Sequence, residues 1–169
     1  MNTLELLLLS IAARTKLSGS EASEYVSREE YVDQTNSGGY SAAEAQHALD
    51  LLRHKGYLEE YPRGMLTNAQ AYRVTHRGER EYLTGSTADY EANIRVVADA
   101  VQTFGSFVSN RDVHGSTKLS QGFVDHAFFE LEHRGLVLLS APSAAAGLMI
   151  RATPTPALVE YLTTHYMRS

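Results

Sequence analysis

Ser41-Ala-Ala-Glu-Ala-Gln-His47-Ala48-Leu49-Asp-Leu-Leu52-Arg-His54-Lys55-Gly56 lies over Ser120-Gln-Gly-Phe-Val-Asp-His126-Ala127-Phe128-Phe-Glu-Leu131-Glu-His133-Arg134-Gly135 at a constant spacing of 79 residues. Self-similarity at a fixed period is the mark of a repeated structural unit. Further on, Tyr72-Arg73-Val74-Thr75 matches Ile150-Arg151-Ala152-Thr153 at a spacing of 78, and Glu81-Tyr82-Leu83 matches Glu160-Tyr161-Leu162 at 79. The chain reads as two copies of one module, residues 1–84 and 88–169, with the turn-forming Thr84-Gly85-Ser86-Thr87 as the linker.

The quoted stretch is a punctuated helix. Ser41 and Glu44 have the spacing of a capping box, in which the first side chain and the fourth satisfy backbone N–H groups reciprocally. Ala45, Ala48, Leu49 and Leu52 follow helical spacing. Gly56 stands where a left-handed residue ends a helix, and Arg53 and Lys55 suit the negative end of the helix dipole.

Downstream, Tyr57-Leu-Glu-Glu-Tyr61 alternates like an edge strand, Pro62-Arg63-Gly64 breaks it, and Ala71 to Thr75 supplies a second strand. The pair predicts a β-hairpin, followed by a capped helix through Leu83. In the second copy Thr153-Pro154 reads as the start of the corresponding helix, because proline at the first helical position forfeits no needed donor. Upstream, the sequence predicts helices over Leu4 to about Arg14 and over Glu21 to about Gln34, the latter with Ser20 as cap. In the second copy the matching helices are Ala88 to about Phe104 and a short one over Ser109 to about His114. The fold class is mainly α with small β-hairpins, an α+β arrangement of two tandem modules.

Composition narrows the function. The chain has 169 residues, 43% of them hydrophobic, and 15 Lys+Arg against 20 Asp+Glu give a net charge of −5. That balance fits a soluble globular protein and excludes a uniformly basic nucleic-acid coat, so any contact with nucleic acid needs a local basic patch. No cysteine is present, which excludes disulfides, thiolate metal sites and cysteine nucleophiles. Leu4 to Ala13 is about half the length of a membrane span and contains Glu5. No basic residue precedes it, so it does not read as a secretory signal either, and the cytoplasm is the expected location.

Leu52-Arg-His-Lys-Gly56-Tyr57-Leu58, followed by Tyr72-Arg-Val-Thr75-His-Arg-Gly78-Glu79, resembles the winged-helix transcription regulators of the MarR and PadR kind. Residues 2–84 carry the likeness directly. Residues 88–165 carry it only through the internal repeat, where the last phrase has become Ile150-Arg-Ala-Thr153-Pro-Thr-Pro156 and the glycine is lost. The resemblance implies two tandem winged-helix modules. It makes the Ser41–Lys55 helix a recognition helix, with Ala42, Ala43, Glu44, Gln46, His47 and Asp50 toward a DNA groove, and makes the following hairpin a wing. Ser41, Gln46 and His47 on the helix, with Arg63, Arg73, His76, Arg77 and Arg80 on and after the wing, are then the candidate contacts to double-stranded DNA.

In the second copy the matching helix face carries Gln121, Gly122, Phe123, Asp125, His126, Phe129 and Glu130, and its wing, Ala141 to Gly147, has no basic residue. Phe123, His126 and Phe129 are therefore candidate contacts to protein, either a second copy of the chain or a partner. No metal or cofactor is expected. Histidines seven apart, as in His47/His54 and His126/His133, are about 10 Å apart along a helix, too far to share an ion. Nucleophile-elbow, phosphate-loop and His-Glu-x-x-His patterns are absent, so no enzyme is expected. Two functions remain. One is a DNA-binding transcriptional regulator whose second module mediates assembly; the other is a tandem protein-interaction module, such as an assembly subunit or an inhibitor of a host or nucleoprotein machine, that does not bind DNA.

Overall fold

A computed structural model describes residues 1–18, 25–60, 70–140 and 149–166. The protein is mainly helical with two small antiparallel three-stranded sheets, and it divides into two compact units, Met1–Ala88 and Asp89–Ser169. The candidate Arg63, the Pro62-Arg63-Gly64 break, Ser20, Glu21 and the second wing at 141–147 lie outside the described residues.

Unit 1 runs α1 (Thr3–Leu17), β1 (Val26–Ser27), α2 (Arg28–Asn36), α3 (Ala42–His54), β2 (Leu58–Glu60), β3 (Ala71–Val74) and α4 (His76–Ser86). Unit 2 repeats the order with α5 (Tyr90–Phe104), β4 (Val108–Ser109), α6 (Asn110–Ser116), α7 (Gln121–His133), β5 (Val137–Ser140), β6 (Arg151–Pro154) and α8 (Pro156–Tyr166). The sheets are ordered β1-β3-β2 and β4-β6-β5. Each repeat thus pairs its central strand with a two-residue strand before the second helix, Val26 opposite Tyr72 and Val108 opposite Ala152.

Several boundaries differ from the sequence reading. The second helix starts at Arg28 instead of Glu21, because Val26 and Ser27 are taken by β3 and the Ser27 hydroxyl then caps the helix. α4 runs through the expected linker as far as Ser86. Thr153 and Pro154 belong to β6, not to a helix start. The Thr155 hydroxyl donates to the carbonyls of Gly135 (2.9 Å) and Leu136 (3.0 Å), as the Thr75 hydroxyl does to those of Gly56 (2.7 Å) and Tyr57 (3.2 Å). Thr155, not Thr153, is the structural partner of Thr75. Of two successive Thr-Pro pairs, the one that ties the last helix to the end of the third is the one that starts it.

The α3 reading agrees with the structure in detail. Ser41 and Glu44 form the capping box, and Gly56 has φ +74°, a conformation that a residue with a Cβ rarely adopts. α1 begins with a box of the same kind, Asn2 and Glu5. The core of unit 1 gathers Leu8, Leu9, Ala12, Leu49, Leu52 and Val74, with α1 packed on α2, α3, α4 and β3. Leu6 is half exposed, so the run of four leucines is wider than this core needs. In unit 2, Ile94, Val97 and Val101 of α5 meet α7 and α8, which contribute Phe128, Leu131 and Leu158.

Two tyrosines depart from the half-buried pattern common for this residue. Tyr31 and Tyr72 are fully buried and meet edge to face at 6.0 Å, and neither hydroxyl has a hydrogen-bond partner among the described residues. Burial pushes the Tyr31 hydroxyl well above the ordinary tyrosine range. A buried hydroxyl without a partner has lost its water for nothing. Tyr31→Phe is therefore expected to stabilise the protein by about 1 kcal/mol, read from the urea midpoint; a loss of more than about 1 kcal/mol would show that the hydroxyl is bonded.

Candidate nucleic-acid interface

The exposed side of α3 follows from its amphipathic spacing. With Ala45, Ala48, Leu49 and Leu52 buried, Ala42, Ala43, Glu44, His47 and Asp50 face solvent. Ser41 is consumed by the cap: its Oγ donates to Glu44 Oε2 (2.7 Å) and accepts from Glu44 N (3.3 Å). These bonds, first the hydroxyl and then the Ser41 backbone N–H, hold the Glu44 carboxyl below its ordinary range, so it is anionic at neutral pH. A lowered carboxyl also supports folding. Its contribution is full above the ordinary value of 4.5 and is lost as the pH falls through that value toward the lower folded one. The Glu5 carboxyl is lowered likewise, chiefly by a hydrogen bond from Lys55. The urea midpoint is accordingly expected to decline below about pH 4.5, and less steeply in Glu5→Gln; equal slopes would remove Glu5 from the account.

Gln46 is half buried, and both ends of its carboxamide are engaged. Oε1 accepts from Arg28 Nε at 2.5 Å, and Nε2 donates to Asp50 Oδ1 at 3.3 Å. His47 is exposed and lines, with Asn2, Thr3, Tyr40, Glu44 and Leu51, a groove of about 330 Å³ between α3 and the start of α1.

The basic residues after α3 are less free than their sequence suggests. Arg73 donates to Glu59, which stands directly across the β2–β3 ladder, and its guanidinium lies 5.4 Å from the Tyr25 ring centroid. Arg53 pairs with Glu60. His76 is half buried with Nδ1 3.8 Å from Glu79, and Glu79 is buried and bonded to Lys16 at 2.8 Å. Arg77 is exposed and stacks 5.2 Å over Tyr57; Arg80 is half buried. Glu59 and Glu60 therefore oppose the positive patch as well as Glu79. The signal was in the sequence, since a hairpin that sets Leu58 opposite Val74 sets Glu59 opposite Arg73. Arg28 is the residue missed, because its proximity to Gln46 depends on the α2–α3 packing.

In unit 2 the structure separates the three protein-contact candidates. Phe123 and His126 are buried: the rings of Tyr90, Phe123 and His126 gather within about 6 Å, and the Tyr90 hydroxyl lies 3.0 Å from His126 Nε2. Both rings are thus engaged with Tyr90, within unit 2. Phe129 stays exposed, as do Phe107 and Leu138, the latter two at 65% and 66%. Phe107 holds this position with φ +62°, a strained conformation for a bulky side chain.

No protein-family model matches the chain, and no curated protein matches it. No helix among the described residues is long and apolar enough to cross a membrane.

Proposed function

We propose that the chain is a non-enzymatic tandem winged-helix DNA-binding transcriptional regulator, in which unit 1 contacts duplex DNA and unit 2 mediates assembly. The observation that carries this reading is the N-terminal half of α3. It presents Ala42, Ala43 and His47 outward from a capped helix start, with small side chains that permit close approach, while the opposite face is fixed in the core. Arg28 and Arg77 on the flanking elements supply charge for phosphate, with Arg63 of the wing as a third source. Two groups are withdrawn from direct readout: Ser41 serves the cap, and Gln46 serves Arg28 and Asp50.

Binding to random-sequence duplex DNA tests the reading. With about four phosphate contacts, affinity is expected to fall roughly a hundredfold between about 50 and 200 mM salt. A variant with Arg63, Arg73 and Arg77 changed to Glu should lose binding at both salts. Wild-type protein that binds at neither salt would overturn the proposal.

A protein-interaction module that does not bind DNA is the second reading, and two observations favour it. The arginines at 53 and 73 already have glutamate partners, and Phe107, Phe129 and Leu138 expose apolar surface on unit 2. Large exposed apolar side chains are what interfaces bury. Under this reading Phe129→Ser and Leu138→Ser abolish self-association or partner capture, while reversing the charge of Arg77 changes nothing.

A further inference from the structure

The first residue of the second helix differs between the two units in a way that packing does not explain. In unit 1 it is Arg28, whose backbone N–H donates to the Gln70 carbonyl (2.8 Å) and whose Nε donates to Gln46 Oε1 (2.5 Å). The bond from Gln46 Nε2 to Asp50 fixes the orientation of the carboxamide, oxygen toward Arg28 and nitrogen toward Asp50. A guanidinium held through Nε still has Nη1 and Nη2, a parallel pair of donors at its end matched to two anionic oxygens. Arg28 is also partly exposed, at the junction of α2 with the outward side of α3.

Unit 2 supplies the comparison. There the residue is Asn110, whose backbone N–H donates in the same way to the Ile150 carbonyl (2.9 Å). Its Nδ2 donates to Asp125 Oδ1 (2.6 Å), at the position in α7 that Gln46 occupies in α3. Asn110 Oδ1 accepts from the backbone N–H groups of Ile150 and Arg111, both at 3.1 Å, and Gln121 Nε2 donates to the same Asp125 oxygen from the preceding turn at 2.6 Å. Asn110 is buried. A short amide thus suffices to tie the second helix to the third. Unit 1 uses a long cation instead, in a residue that is partly exposed.

We propose that Arg28 is a phosphate-contacting residue of unit 1 and that Gln46 is its positioning residue, not a reader of bases. The proposal rests on the DNA-binding reading above. Glu29 and Glu30 follow Arg28 on α2, and Asp50 is the acidic neighbour on α3; Gln46 stands between Arg28 and Asp50, bonded to both. Gln46→Glu would place a carboxylate on the guanidinium itself.

The test is a salt titration of binding to several unrelated duplexes by the full chain as wild type, Arg28→Gln, Arg28→Lys, Gln46→Ala and the double variant Arg28→Gln/Gln46→Ala. Arg28→Gln keeps an amide able to bond Gln46 and removes the charge. It is expected to weaken binding about fivefold at low salt, equally for every duplex, and to reduce the slope of log affinity against log salt by about 1. Arg28→Lys should retain the slope. Gln46→Ala should weaken binding in the wild-type background and have no effect on top of Arg28→Gln, a coupling that a merely structural role would not give. Wild-type protein that binds with an Arg28→Gln slope equal to its own would overturn this inference and leave the DNA-binding reading standing. A loss confined to particular sequences would overturn the phosphate assignment in favour of a base contact. Wild-type protein that does not bind removes both.

Discussion

Gly78→Ala is expected to destabilise unit 1 by on the order of 3 kcal/mol or more. Alanine in a helix interior is ordinarily worth about 1 kcal/mol over glycine, so the sign here is the reverse of what propensity gives. The reason is contact. A Cβ on Gly78 would stand 2.3 Å from the Tyr57 carbonyl oxygen, 3.0 Å from its carbon and 2.8 Å from Val74 Cγ2. That carbonyl accepts from Thr75 N (3.0 Å) and from the Thr75 hydroxyl, the bonds that join the end of the helix–strand turn to the cap of α4. The added methyl therefore pushes apart a backbone junction and not a flexible side chain. Gly85, also in α4, has open space around a built Cβ, and Gly85→Ala should be neutral or stabilising by up to about 1 kcal/mol. Urea unfolding of the two variants reads the difference. Equal midpoints would mean that the close approach at Gly78 is not a constraint.

Arg134→Ala carries the second large effect, a loss of about 2 to 3 kcal/mol in unit 2 from the charge-assisted bonds it removes. Arg134 is the C-cap of α7, where its Nε donates to Glu130 one turn back at 2.7 Å and its fork engages both oxygens of Glu91 on α5 at 2.8 and 2.9 Å. The two carboxylates do not contribute equally. Glu91 is 65% exposed on its side chain and would return to water at little cost, whereas Glu130 is buried and loses a charge-assisted bond where water does not replace it. Arg134→Lys should recover part of the loss, since a single ammonium cannot serve both acids with the geometry of a fork. A single-variant loss under about 1 kcal/mol would show that the Arg134–Glu130 bond is not a constraint on unit 2.

The parts of the fold legible in the sequence were those written in local chemistry. Ser41 with Glu44 and Gly56 bounds α3 because cap and stop act within one turn of the helix they bound. The two-residue strands β1 and β4 were not legible, since so short a run has no alternation to read and exists only through its partner strand. Thr153-Pro154 and Thr155-Pro156 offer the same local signal; only the reach of Thr155 to Gly135 and Leu136 selects between them. The candidate site divides along the same line. The exposed face of α3 followed from spacing, but the clasp of Arg28 on Gln46 joins residues 18 apart and depends on how α2 crosses α3. The repeat places Phe123 and His126 at a surface because their helix positions mirror the outward Glu44 and His47 of the first copy. Tyr90, at the start of α5, meets both and contributes to their burial.

Amide hydrogen exchange of the full chain with and without duplex DNA at low salt reads DNA contact by unit 1 at its own peptide groups. Exchange is expected to slow in α2 and the N-terminal half of α3 and along β2 and β3, with α7 unaffected by DNA. Exchange unchanged throughout unit 1, or slowed only in α7, would contradict it.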